Sequence, residues 1–137
     1  MFREYAAHVN DQFGGGFWVK DFEDERAALP GYYRVVLVAR DDTGALVGSA
    51  AVKHHPDGAA ELNRLYVRPQ ARGTGLGKRL AAAAIDRARD LGYTVMRLDT
   101  LPRMEAARGI YASLGFKPCD PWVAHPIAGV LFFEVNL

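Results

Sequence analysis

One run, Arg68-Pro69-Gln70-Ala71-Arg72-Gly73-Thr74-Gly75-Leu76-Gly77, constrains this chain more than any other. An apolar segment, Leu62 to Val67, leads into it and reads as a strand. The segment from Leu76 to Leu91 leads out of it with helical spacing. Glycines at alternate positions let the backbone take left-handed conformations and come close to a ligand. The N–H groups of a first helical turn have no helical carbonyl to bond, and the helix dipole adds positive potential there. Strand, glycine loop and helix N-terminus together make an anion site, most often for phosphate. Arg72 and Lys78 add mobile positive charge. The loop therefore reads as a cradle for the pyrophosphate of a nucleotide-like ligand.

Around this unit the apolar residues change period. Tyr33 to Arg40 is valine-rich and reads as a strand, and Asp41-Asp42-Thr43-Gly44 turns it into a second, Leu46 to His54. Pro56-Asp57-Gly58 turns again into Glu61 to Val67, which completes an antiparallel meander. The helix then carries Leu76, Leu80, Ala83, Ala84 and Leu91 on one face, with Gly92 as its C′ residue. Tyr93 to Thr100 is a strand, Met104 to Leu114 a helix, and Val130 to Leu137 a final strand with Lys117 to Val123 as its partner. Strand, helix, strand predicts a parallel pair with a right-handed crossover. The fold class is α/β (α+β), with a mixed sheet. Upstream, Phe2 to Val9 has helical spacing, and Phe17 to Leu29 resumes with aromatics and acids, in which Asp21 suits the N-cap of a second short helix.

The chain's 137 residues fit one domain, 1–137, with a sizeable core. A formal net charge of +1 gives no reason to expect nucleic acid or an acidic membrane surface as the partner. Cys119 is the one cysteine, which rules out an intrachain disulfide and suits a reducing compartment. No leader-like or membrane-spanning run is present, so a cytoplasmic location is expected. None of the four histidines has metal-ligand spacing with a cysteine or carboxylate pair, so no metal is expected.

Several ordered motifs go further. They are Leu65-Tyr66-Val67-x-Pro69, Gln70-x-x-Gly73-x-Gly75, Leu76-Gly77-x-x-Leu80, Leu98-Asp99-Thr100 and Ile110-Tyr111-x-x-Leu114-Gly115-Phe116. Together they resemble the signatures of the GNAT family of N-acetyltransferases, over most of the chain from Val35 onward. The resemblance implies a mixed, mostly antiparallel sheet with central splayed parallel strands flanked by helices. It implies acetyl-CoA as co-substrate and direct acetyl transfer to a primary amine of a small molecule or peptide in a ternary complex. By the same resemblance, backbone groups at Leu65 and Val67, with Tyr66 between them, bind the acyl carbonyl and pantetheine arm. Gln70, Arg72, Gly73, Thr74, Gly75, Leu76, Gly77 and Lys78 line the pyrophosphate. Two departures stand out. Family members open with a strand, whereas this chain enters helix-like sequence directly, so either that strand is missing or the chain is shorter than its relatives. Met104 stands where the family often has a cofactor-contacting asparagine.

Acyl transfer from a thioester needs an amine stripped of a proton, a stabilised oxyanion and a protonated leaving thiolate. Tyr111 aligns with the family's general-acid tyrosine, although its apolar helix face also suits a core aromatic. Glu61 aligns with the strand glutamate that serves as base in some members, and a solvated carboxylate after a turn fits equally. Alternation would put Glu61, Asn63, Leu65 and Val67 on one face. Asp99 is a second base candidate; His54 and His55 read mainly as surface residues, and His125, in a Pro-flanked loop, could line the acceptor pocket. Arg64 and Arg97 fit either a substrate carboxylate or solvent. The aromatics Phe13, Phe17, Trp18, Phe22, Tyr32, Tyr33, Trp122 and Phe132 fall in segments that shape the family's acceptor pocket, which leaves amino acids, polyamines, aminoglycosides, aryl amines and protein N-termini all open. Two rivals remain: a non-catalytic acyl-CoA-binding module, and a dinucleotide-binding enzyme with Asp99 on the ribose. The second lacks the third glycine at its expected offset. A homodimer is the oligomer expected of a small chain with an open sheet edge.

Overall fold

Short valine-rich runs and tight turns give way, halfway along the chain, to alanine-rich helical sequence, and the architecture follows that change. The computed structural model describes residues 17–21, 33–124 and 128–137. Its first elements are strands β1 (Phe17–Asp21), β2 (Val35–Asp41), β3 (Leu46–His54) and β4 (Ala60–Val67), then a 3₁₀ turn at Pro69–Ala71. Helix α1 (Leu76–Asp90), strand β5 (Val95–Thr100), helix α2 (Glu105–Ser113) and strands β6 (Lys117–Pro118) and β7 (Leu131–Asn136) follow. The strands form one seven-stranded sheet in the order β1-β2-β3-β4-β5-β7-β6. Neighbours are antiparallel, apart from the central parallel pair β4–β5. This is the mixed, mostly antiparallel sheet that the motifs imply.

Helix α1 buries Leu76, Leu80, Ala81, Ala84, Ile85 and Ala88, the stripe that an i, i+4 spacing lays along one face. It covers one face of β2, β3 and β4, where Val35, Leu37, Ala39, Ala50, Val52, Ala60 and Leu62 meet it in one core cluster. Alanines on both surfaces let helix and sheet approach closely. At Gly48 the fit is tightest: a Cβ there would lie 2.9 Å from Leu80 Cδ1 and 3.1 Å from the Tyr66 carbonyl oxygen. Full burial of a side chain such as Leu80 or Leu98 contributes about 1.5–3 kcal/mol. That packing fixes where the N-terminus of α1, and so the glycine loop, sits against the sheet.

The N-terminal side carries a strand that the sequence reading does not assign. Phe17–Asp21, the stretch before the expected Asp21-capped helix, is a strand, and it pairs antiparallel with β2 from Phe17↔Asp41 to Asp21↔Leu37. Phe, Trp and Val are strand formers, and an open β2 edge gives them a ladder to join. The sheet edge beside β2 is therefore occupied by a strand. The helix expected over Phe2 to Val9, and residues 22–29 of the second helix, lie outside the described residues. One correction concerns Lys117 to Val123, of which only Lys117–Pro118 pairs with β7. One more backbone bond, from the Cys119 N–H to the Phe132 carbonyl at 2.9 Å, follows the pair, and Pro121 then has no N–H to offer the next.

Candidate active site

The site is opened by one irregularity in β4. Ser49 pairs with Tyr66 and Ala51 with Asn63, so Ala50 alone faces both Arg64 and Leu65. That is a β-bulge, and Arg64 takes the left-handed conformation it requires, φ 55°. A non-glycine residue there costs about 1–2 kcal/mol. Local bonds hold it in place: Ser49 Oγ donates to the Arg64 carbonyl at 3.0 Å, and Arg64 Nε donates to the Tyr33 hydroxyl at 2.7 Å. The bulge overturns the simple alternation. Leu65 and Val67 join Ala60 and Leu62 on the α1 side, while Glu61 and Asn63 face away from it.

The same irregularity coincides with the parting of the two parallel strands. β4 and β5 pair only at Ala60↔Met96 and Glu61↔Arg97. Beyond that point β5 keeps its ladder with β7 as far as Thr100↔Leu131, and β4 keeps its ladder with β3 as far as Val67↔Gly48. A wedge opens between them toward their C-terminal ends, where Leu65, Tyr66 and Val67 lead into the glycine loop.

The loop has the shape that anion binding asks for. Gly73 and Gly75 sit at φ 77° and 81°, and a Cβ on either would meet open space. The α1 ladder begins with Arg79 N–H donating to the Gly75 carbonyl at 3.1 Å. The N–H groups of Leu76, Gly77 and Lys78 therefore have no helical carbonyl to bond, and no acidic side chain lies in that first turn. Thr74 Oγ1 donates to the Ala71 carbonyl at 2.6 Å and ties the loop to the 3₁₀ turn. Arg72 folds back: its Nε donates to the Val67 carbonyl at 3.1 Å, and its guanidinium lies 6.0 Å from the centroid of the exposed Tyr66 ring. Gln70 and Lys78 are exposed at the rim. Gly77 is spaced by α2, since a Cβ there would lie 2.9 Å from Ile110 Cδ1. Backbone donors, open glycine positions and rim cations make a donor set that fits a diphosphate.

Tyr111 belongs to the core, only 7% exposed, and stands edge-on to Phe116 with centroids 5.7 Å apart. Burial, and then the charge of Asp99, push its hydroxyl above the ordinary tyrosine range, so it stays a proton donor at neutral pH. Glu61 is half-buried. Burial first, with Asp99 adding, pushes its carboxyl above the usual range, against the opposing charges of Lys53 and His55. Asp99 thus acts on both candidates, and it lies on β5 two residues past the last β4–β5 pair.

The other candidates are engaged elsewhere. Arg97 is paired with Asp57 and lies 3.7 Å from Glu134, and Arg64 is held by Tyr33. His54 Nδ1 and the Tyr93 hydroxyl are hydrogen-bonded at 2.8 Å. His55 lies 2.9 Å from Asp57 and edge-on to Trp122, which in turn stands edge-on to Phe132. Burial and the charge of Glu134 push the Cys119 thiol up, the opposite of a reactive cysteine. The bulge, the Asp57–Arg97 pair and the Trp122 contacts are absent from the sequence reading. No residue type announces an arginine in a left-handed bulge, and the Asp57–Arg97 and His55–Trp122 contacts join residues at least 40 positions apart.

The family model described as "Acetyltransferase (GNAT) family" matches residues 3–116. An uncharacterised N-acetyltransferase of Schizosaccharomyces pombe is 37% identical over 143 residues, taking in 99% of this chain and 86% of that protein. A structure from Klebsiella pneumoniae, provisionally described as an acyl-CoA N-acyltransferase, superposes with a TM-score of 0.76 at 28% identity, over 88% of this chain and 97% of that one. A provisionally described acetyltransferase from Salmonella typhimurium, solved with acetyl-CoA, gives a TM-score of 0.65 at 28% identity, over 82% of this chain and 68% of that one.

Proposed function

The chain belongs to the GNAT acetyltransferase family, and from that footing we propose that residues 1–137 act as one catalytic unit that moves the acetyl group of acetyl-CoA directly onto a primary amine. The observation that carries this reading is the wedge between β4 and β5, which opens onto the glycine loop at one end and is flanked by Tyr111, Glu61 and Asp99. Leu76, Gly77 and Lys78 offer backbone N–H groups to the pyrophosphate, with Gln70, Arg72, Gly73, Thr74 and Gly75 around it. The backbone of Leu65 and Val67, beside Tyr66, lies along the path of the pantetheine arm and acyl carbonyl.

Acetyl-CoA supplies an acyl carbon already bonded to a leaving thiolate. Glu61 takes one proton from the acceptor ammonium, directly or through a water, and the freed lone pair forms the C–N bond as the C–S bond breaks. Tyr111 gives its proton to the departing sulfur. The proton lost as the new amide forms restores the tyrosine hydroxyl, and the proton on Glu61 leaves to solvent. A base with a carboxyl above the usual range holds the amine's proton better near neutral pH than an ordinary carboxylate does. Holding both substrates at the wedge contributes much of the acceleration through proximity.

Product mass spectrometry after incubation with acetyl-CoA and a broad amine panel tests the reading, run beside Tyr111→Phe. An acetylated product that falls in the variant supports it. Tight CoA binding with no product from any amine would shift the function to a non-catalytic acyl-CoA-binding module.

A further inference from the structure

The turn between β3 and β4 places an imidazole beside the base. His54 faces Ala60 on the α1 side, and the ladder runs on for one more bond, from the His55 N–H to the Ala59 carbonyl at 2.9 Å. Alternation therefore puts the His55 side chain on the opposite face, with Lys53 and Glu61. Lys53 is the direct cross-strand partner of Glu61, and His55 is its diagonal neighbour, within reach of a long side chain. The electrostatics agree. Burial raises the Glu61 carboxyl, and charge on His55 is among the effects that oppose the rise.

The ring is held in one orientation. Its Nδ1 lies 2.9 Å from Asp57 Oδ1. Two lone pairs at that distance repel, so Nδ1 carries a hydrogen and donates it to the carboxylate. The Asp57 N–H also approaches Nδ1, at the longer distance of 3.3 Å. Asp57 is fixed in its turn: Oδ1 accepts the Ala59 N–H at 3.0 Å, and Oδ2 is paired with Arg97 of β5. The Ala59 bond foremost, and Arg97 after it, hold the Asp57 carboxyl well below the usual carboxylate range, so Asp57 stays an anion and takes no proton. Among the described residues none bonds the ring's other nitrogen, Nε2, which keeps its lone pair. Trp122 stands edge-on to the ring, whose side chain is 17% exposed against 41% for Asp57. His55 thus bridges the half-buried Glu61 and the open turn.

We infer that His55, oriented by Asp57, is a proton relay that carries the proton from Glu61 out to solvent after each acetyl transfer. This rests on the acetyl-transfer reading above and adds two residues to that same site. Glu61, protonated by the acceptor, gives its proton to Nε2, directly or through one water. It thereby returns to the carboxylate that the next amine needs. The ring is then an imidazolium with its Nδ1–H still on Asp57, whose fixed charge faces it. The Nε2 proton leaves to water at the turn, and the ring returns to its starting tautomer. Imidazole is in general a stronger base than a carboxylate, so the proton moves outward. Both residues act through Glu61 and not on the substrate.

His55→Ala should lower kcat at least tenfold, with CoA affinity and the acceptor KM within threefold. Free imidazole in the buffer should restore much of the rate by taking the place of the ring. Pyrazole, of the same shape and almost no basicity, should not, whereas a merely structural gap would accept either. Asp57→Asn should fall as far as His55→Ala and add nothing to it in the double variant, because an amide N–H in place of the carboxylate turns the ring to the wrong tautomer. Nitrogen-15 NMR of the neutral ring reads that tautomer without turnover: Nδ1–H in the wild type, Nε2–H in Asp57→Asn. An unchanged rate in His55→Ala, equal rescue by the two azoles, or a wild-type ring with its hydrogen on Nε2 would overturn the relay and leave acetyl transfer standing. No acetylated product from the wild type with any amine would overturn the transfer reading, and the relay with it.

Discussion

Gly75 offers a way to separate backbone strain from the filling of the cradle. It sits at φ 81°, where any L side chain is strained, and a Cβ there meets nothing within 4 Å. Gly75→Ala and Gly75→Trp should therefore carry the same backbone cost, about 1–2 kcal/mol. For a chain of this length that lowers Tm by about 3–10 °C in both variants. Only the tryptophan fills the space in front of the Leu76, Gly77 and Lys78 N–H groups. Each hydrogen bond from such a group to a charged phosphate oxygen is worth about 1.5–3 kcal/mol, so losing two weakens binding by about 10²–10⁴-fold. Gly75→Ala should stay within about fivefold of the wild-type CoA affinity, since a methyl group reaches only the edge of the space. Differential scanning fluorimetry reads the first effect and calorimetric titration with CoA the second. A folded Gly75→Trp protein that binds CoA normally would refute the cradle, because the indole leaves no room for a phosphate there. A large affinity loss in Gly75→Ala as well would mean that loop conformation, not free space, controls binding.

Tyr111→Phe should lower kcat by about 10²–10³-fold with CoA affinity within twofold, as loss of a general acid predicts; single-turnover rates check it, and an unchanged rate would leave Tyr111 as a core aromatic only. Glu61→Gln probes the cost of burying a carboxylate. The folded-state carboxyl of Glu61 is raised, so the native state binds its proton more tightly than the unfolded chain and the wild type loses stability as pH rises above about 4. The glutamine variant should then be more stable than wild type at pH 7, with the gap closing below pH 4; parallel Tm curves across that range would contradict the burial. Gly48→Ala should cost about 1–3 kcal/mol, because its Cβ would press on Leu80 and the Tyr66 carbonyl, and chemical denaturation measures it.

Much of the fold is legible in the sequence because local chemistry and long-range packing agree over most of its length. The β3 strand, the α1 start at Leu76 and the Gly92 stop follow from turn residues and periodicity that the tertiary structure leaves alone. Where they disagree, the local reading fails. Phe17–Asp21 reads locally only as the lead-in to a helix capped by Asp21, yet an open β2 edge recruits it as a strand. The glycine loop is legible because an anion site needs residues without side chains at fixed positions. The alternation across β4 is not, because it depends on an inserted residue whose supports, Tyr33 and Ser49, lie 31 and 15 positions away.

The bulge at Arg64 joins these threads. A regular β4 would keep one alternation from Ala60 to Val67, and Leu65 and Val67 would then leave the core side for the face that carries Glu61. By consuming one extra residue, the bulge returns both to α1, where Val67 Cγ2 would lie 3.6 Å from a Cβ on Gly77. That contact helps seat the helix N-terminus against the end of β4. A bulge also increases local twist, which turns β4 away from β5 just after their last pair at Glu61↔Arg97. One strained residue thus does two things a straight strand cannot do together. It keeps apolar side chains under the helix that carries the cradle, and it frees β4 from β5 where an acyl group needs room. The strain of about 1–2 kcal/mol at Arg64 is offset by hydrogen bonds from Ser49 and to Tyr33, which is the pattern expected where local strain serves a site rather than stability.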